Sequence, residues 1–186
     1  MTKENGMKSP WDVRREGRGD IFLRRTRNMK RIRNIMIHPA IFPWMVEEGP
    51  EPEDFFPIED DRIHYVEVLK RGNSGRKETV GLFLLVPQTS RCMEGHAGML
   101  PAGRGRIACK ALGLIKEYAF AGPEPLAEKL VSRICVENTN AIRYNVEVGR
   151  FKVEGVNRAS LVRGGRLVDQ IWTGLTRAEW EMEART

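Results

Sequence analysis

Apolar positions recur along this chain with a period of two in several segments and with a helical period between them. Ile21-Phe22-Leu23 is a short apolar run suited to a first strand. From Thr26 a helix carries Met29, Ile32, Ile35 and Met36 on one face. It must stop before Pro39, whose ring drives the preceding residue out of the helical region. Pro43, Pro50, Pro52 and Pro57, interleaved with acids, predict an irregular segment to Glu59, of the length that binding loops and lids have. Ile63–Leu69 alternates and runs into the turn Gly72-Asn73-Ser74-Gly75. Thr79–Val86 is apolar almost throughout, which places it centrally in a sheet and buried on both faces.

The second half adds a strand over Arg91–Leu100, ending at Pro101, and a helix over Arg104–Phe120. In that helix Ile107, Ala111, Leu114, Ile115 and Tyr118 recur at helical spacing, and Gly122-Pro123 ends it. Leu130–Val136 reads as a buried strand, and Thr139–Val148 as a helix with Asn138 as its cap. Phe151–Val162 and Leu167–Gly174 pair around Gly164-Gly165, a strong hairpin signal. The predicted class is α/β (α+β). Residues 1–19 are polar and glycine-bearing and predict a basic, loosely attached arm before one domain over 20–186.

Charge divides the N-terminal third. Lysines and arginines dominate from Lys3 to Arg33, whereas Asn34 to Asp61 contains eight acids and no lysine or arginine. A basic arm can bind nucleic acid, but no aromatic stacking platform or reading helix accompanies it, so that partner is not favoured. No apolar run reaches the roughly 18–20 residues that span a bilayer, and no signal-peptide core is present, so a cytoplasmic protein without membrane contact is expected. Cys92, Cys109 and Cys135 are scattered, without metal-ligand spacing, and read as small buried residues with no metal implied.

The stretch SRICVENTNAIRYNVEVGRFKVEG from Ser132, followed by LVRGGRLVDQIWTGLTRAEW, resembles the C-terminal half of a GCN5-related N-acetyltransferase (GNAT), of the kind that acetylates protein N-termini. The resemblance covers about residues 20 to 180 and is strongest after residue 90. It implies a mixed, mostly antiparallel sheet with flanking helices and a splayed central strand pair. Acetyl-CoA is the implied co-substrate, and a primary amine on a protein or small molecule the implied acceptor. The acidic Glu47–Asp61 loop would favour a cationic acceptor. His38-Pro39, the proline- and acid-rich loop, and Glu94-Gly95-His96 before Leu100-Pro101 also resemble small acetyltransferases of tailed bacteriophages. That narrower likeness implies host cytoplasm or virion as the location and phage structural proteins as partners. The alternative reading is a catalytically degenerate GNAT-fold protein with a structural or binding role.

A diphosphate is held most cheaply by backbone N–H groups at a helix N-terminus, where the dipole adds positive charge. Gly103-Arg104-Gly105-Arg106-Ile107-Ala108 lies where such a loop belongs, after Met99-Leu100. It departs from the family's Arg/Gln-x-x-Gly-x-Gly/Ala in every register. The resemblance further implies that the strand before this loop and the strand near Leu130 splay, offering Gly98-Met99-Leu100 and Ile134-Cys135-Val136 to the cofactor arm. Asn138 or Asn140 is the asparagine that would contact that arm, depending on the register chosen.

Acetyl transfer needs a neutral amine, a stabilised oxyanion and a proton for the departing thiolate. Counted back from Gly149, the family's acid tyrosine falls at Asn145; Tyr144 is one residue away, roughly 100° round a regular helix. On the strand before the loop, His96 and Glu94 alternate onto one face, the imidazole as base and the carboxylate as a second catalytic candidate or an anchor for the cationic amine. His38 and His64 read as structural. Trp172 and Trp180 read as packing for the hairpin and tail, and Asp169 as fixing the hairpin turn.

Overall fold

The computed structural model describes residues 19–72 and 74–183; most of the predicted basic arm lies outside the described residues. Among the described residues seven strands form one sheet, in the order β1-β2-β3-β4-β5-β7-β6. They are β1 (Ile21–Arg25), β2 (His64–Arg71), β3 (Lys77–Pro87), β4 (Cys92–Met99), β5 (Lys129–Cys135), β6 (Lys152–Arg163) and β7 (Arg166–Thr176). All neighbours run antiparallel except β4 and β5. The alternating segments of the sequence became these strands, and the apolar run Thr79–Val86 became the inner strand β3, whose Leu82 and Phe83 are buried on opposite faces.

Helices cover both faces. On one side α3 (Arg106–Phe120) sets Ala111, Leu112, Ile115 and Phe120 against Val66, Val68, Phe83 and Leu85. On the other, α1 (Met29–Met36) sets Ile32, Ile35 and Met36 against Tyr65 and Leu82. This helix starts later than the pattern suggests, because Asn28 caps it through a 3.0 Å hydrogen bond from the Arg31 N–H. It is tied to the sheet by the fully buried Glu67, which accepts hydrogen bonds from Arg24 and lies 3.5 Å from Arg31.

Several expectations need correction. The segment after Pro39 is not wholly irregular: α2 (Phe42–Met45) carries Pro43 in its first turn, where a missing N–H is harmless. A last helix, α5 (Arg177–Glu183), follows β7 and seats Trp180 against Phe120 at 5.7 Å. Of the cysteines only Cys135 is buried; Cys92 is half-buried and Cys109 exposed. Asp169 fixes a β6 bulge rather than the hairpin turn, accepting from the N–H of Ala159, which holds φ +50°. His38 accepts from the Ala40 N–H, and His64 shares a 2.7 Å hydrogen bond with Tyr118 in the core, so each structural histidine has a partner. Gly164 and Gly165 both take positive φ, as a tight two-residue hairpin turn requires.

Candidate active site

The parallel pair β4–β5 is joined over only three positions, Cys92–Lys129, Met93–Leu130 and Glu94–Val131. Beyond them β4 keeps β3 on one side, β5 keeps β7 on one side, and neither strand has the other. Ser132 closes the fork, donating 2.7 Å to the carbonyl of Gly95. The wedge opens into a cavity of about 580 Å³ lined by both strands, α2, the start of α3 and the helix after β5. Backbone N–H and C=O groups on the diverging edges are thereby left for a ligand to satisfy.

The loop ahead of α3 separates its two glycines by role. Gly103 ends a 3₁₀ turn (Pro101–Gly103) packed on β3, and a Cβ there would stand 2.1 Å from the Val80 carbonyl oxygen. It closes the fold and does not face the cavity. Gly105 lies on the cavity wall at φ +67°, as the N-cap of α3, with open space where a Cβ would be. Arg104 is beside it, exposed, donating to the Ala40 carbonyl at 3.1 Å. Met99 and Ala108 also line the cavity. Leu100 packs into the α1-side cluster, Ile107 against the α3-side core, and Arg106 is exposed away from the wall.

After β5, α4 (Thr139–Arg143) begins at Asn138, whose side chain accepts from the Ala141 N–H at 3.2 Å. Asn140 lies on the cavity wall, exposed, with no side-chain hydrogen bond among the described residues. The helix then loosens into a π turn (Tyr144–Val148), closed by the Gly149 N–H donating to Tyr144 O at 2.9 Å. A π turn takes up one extra residue. Tyr144 therefore occupies the place one turn before Gly149 that regular helical counting gives to Asn145. It lines the cavity, and its hydroxyl donates 2.8 Å to the Ala108 carbonyl. Burial pushes its phenol well above the ordinary range. Asn145 is buried and donates to Thr173 Oγ1 at 3.1 Å.

Across the fork, Glu94 is 1% exposed yet charged. Burial alone would raise its pKa, but hydrogen bonds from His96 and Arg133 outweigh that and hold it at about 2. Arg133 grips it in a fork, Nε to Oε1 at 2.8 Å and a terminal nitrogen to Oε2 at 2.9 Å, while Gln88 donates to Oε2 at 2.7 Å. His96 Nε2 lies 3.2 Å from Oε1. Glu94 is thus saturated and has no oxygen to spare for an amine. His96 keeps access to the cavity. The sequence reading missed Arg133, Gln88 and the shelf of Trp44 and Met45; no local motif marks them. Trp172 packs under Arg133 at 5.5 Å.

No protein-family model matches the chain, and no curated protein matches it in sequence. Solved structures do. The spermidine N-acetyltransferase of Vibrio cholerae in complex with CoA and spermine aligns over 87% of this chain and 98% of its own, at TM-score 0.64 and 20% identity. The spermidine/spermine N-acetyltransferase of the same organism with manganese ions aligns over 89% and 97%, at TM-score 0.67 and 18% identity. A chimera of that enzyme reaches TM-score 0.70 at 20% identity, over 88% and 99%. Strand order, the forked parallel pair and these likenesses define the fold as that of the GNAT acetyltransferases.

Proposed function

We propose that the chain is an acetyl-CoA-dependent N-acetyltransferase acting on a primary amine. The carrying observation is the fork between β4 and β5, which leaves two strand edges facing a cavity that begins at the N-terminus of α3. The residues present fit the co-substrate: an open, Cβ-free position at Gly105, a helix tip of 15 residues and a neighbouring arginine suit a diphosphate. Arg104 and the first-turn N–H groups of α3 would hold that diphosphate. The backbone of Gly95–Met99 would pair with the pantetheine amides, and the unengaged amide of Asn140 would reach the same arm. Bound acetyl-CoA supplies an activated acetyl group.

The chain's own residues then manage two protons. Glu94 anchors His96 through Nε2, which leaves Nδ1 to take a proton from the incoming ammonium. Tyr144, kept neutral by burial, would turn its hydroxyl from the Ala108 carbonyl to give its proton to the departing sulfur, and would regain one from the acylated nitrogen, which loses a second proton as it becomes an amide. The neighbour that holds CoA and spermine supports an amine as the acceptor class. Among the described residues no helix is long and apolar enough to cross a membrane.

Isothermal titration with acetyl-CoA tests the reading. Micromolar binding that weakens in Gly105→Val is expected; no heat up to millimolar ligand would overturn it.

A further inference from the structure

The acceptor end of the cavity has a definite chemistry. Its roof is α2, with Ile41, Trp44 and Met45 on the lining. Its floor is the β4 face that bears His96 and Gly98, where an added Cβ would meet Ile41 at 2.9 Å. Among the described residues no aspartate or glutamate lines the cavity, whereas Arg104 and Arg133 do.

The acids nearby are already engaged. Glu94 is saturated by Arg133, Gln88 and His96. Glu47 accepts from the Val162 N–H at 3.0 Å and Glu48 from the Gly165 N–H at 2.9 Å, which fastens the segment after α2 to the β6–β7 turn. Farther along, Asp60 pairs with Arg62 and Asp61 with Arg27. None of the loop's acids, Glu47 to Asp61, is on the cavity wall, so any pull on a cationic acceptor would act from outside the cavity.

We propose that the acceptor is a monoamine borne on an apolar or aromatic skeleton, and that polyamines are rejected. This rests on the acetyltransferase reading and names its substrate class. A single ammonium can give up its charge at His96 while its carbon skeleton lies along Trp44 and Met45. A second ammonium a few carbons away would leave water for a wall that bears no carboxylate among the described residues and whose nearest acid, Glu94, has every oxygen site taken, an unfavourable transfer. A free small amine and the N-terminus of an apolar peptide share this chemistry.

Calorimetry on the full chain separates these cases without requiring turnover. The probes are 2-phenylethylamine, a C-terminally amidated tetrapeptide beginning with phenylalanine, and spermidine. At least one aromatic amine is expected to bind about tenfold or more tighter than spermidine. Which of the two binds better identifies the source. Trp44→Ala, at a half-exposed position, should abolish that preference, and Met45→Glu should raise spermidine affinity about tenfold by supplying the missing anion. Spermidine binding equally well or better, no binding by either aromatic amine, or a preference unchanged in Trp44→Ala would each overturn the proposal. Acetyl-CoA titrated separately reports on the acetyltransferase reading, so the two fail independently.

Discussion

The Gly149 N–H reaches past Asn145 to the carbonyl of Tyr144, 2.9 Å away, and the π turn this bond closes puts Tyr144 on the cavity wall beside Asn145. A regular turn would pair Gly149 with Asn145 and swing Tyr144 away by roughly 100°. The bonds around it hold the bulge: Phe151 N–H takes the Asn145 carbonyl at 3.0 Å, and Lys116, 9% exposed, takes the Gly149 carbonyl at 3.1 Å.

From that geometry, Tyr144→Phe should lower kcat by about 10²-fold if the phenol delivers a proton. Acetyl-CoA affinity should hold, and thermal stability should fall by about 1 kcal/mol for the hydrogen bond to Ala108. Steady-state kinetics beside a melting curve separate the two effects. A kcat within a few-fold of the parent, with only the stability loss, would make the tyrosine structural.

Period-two and helical patterns made the succession of elements along the chain legible, because every strand but the exposed β6 buries residues in a sheet with helices on both sides. Local chemistry also read well where one residue decides the outcome, as at the Asn138 cap and the Gly164-Gly165 turn. What stayed hidden was set at a distance. Arg133 meets Glu94 across 39 positions of sequence, and the spacing His96–Glu94 alone does not reveal it. The π turn is a choice between neighbouring carbonyls, decided by packing against β7 and α3. Helix α2 was obscured because proline is read as a breaker, yet its ring suits a first turn. The fork was foreseen from family resemblance, not from periodicity.

Gly103 and Gly105, two residues apart, should respond to substitution in opposite ways. Gly103→Ala forces a Cβ to within 2.1 Å of a β3 carbonyl and should destabilise the fold by about 3 kcal/mol. Gly105→Ala meets no atom but adopts φ +67°, ψ −130°, with a strain of about 1–2 kcal/mol. Its larger effect should be on acetyl-CoA binding, weakened about tenfold where the new methyl crowds the helix tip. Chemical denaturation and calorimetry on both variants test the division; equal losses of affinity at equal stability would refute it.

Arg163 clasps the roof of the cavity. Its guanidinium lies 4.5 Å over the Trp44 ring and donates to the Pro43 carbonyl, joining the β6–β7 turn to α2. Arg163→Ala should therefore raise the acceptor KM several-fold while acetyl-CoA affinity stays put, because only the acceptor shelf loosens. A double-mutant cycle with Trp44→Ala should return a coupling of about 0.5–1 kcal/mol in stability. Additive behaviour would show that the two side chains stand independently.

Acid should act on the fold through Glu94. Its carboxyl titrates near 2 when folded, below the ordinary carboxylate range of the unfolded chain, so the folded state favours the charged form. The stability from this group is complete above the unfolded value of about 4.3. It is lost as the pH falls from there through about 2, when protonation releases Arg133 and His96. Glu94→Gln removes that titration, so the pH dependence of its unfolding free energy between pH 4.5 and 2 should flatten relative to the parent. At neutral pH the variant should be less stable by about 2–3 kcal/mol, at the low end for breaking a buried pair, since Arg133 and His96 retain access to water. Urea denaturation across this pH window checks both. An unchanged slope in the variant would place the acid sensitivity elsewhere, for instance at Glu179, which Lys152 and Thr176 also hold at about 2.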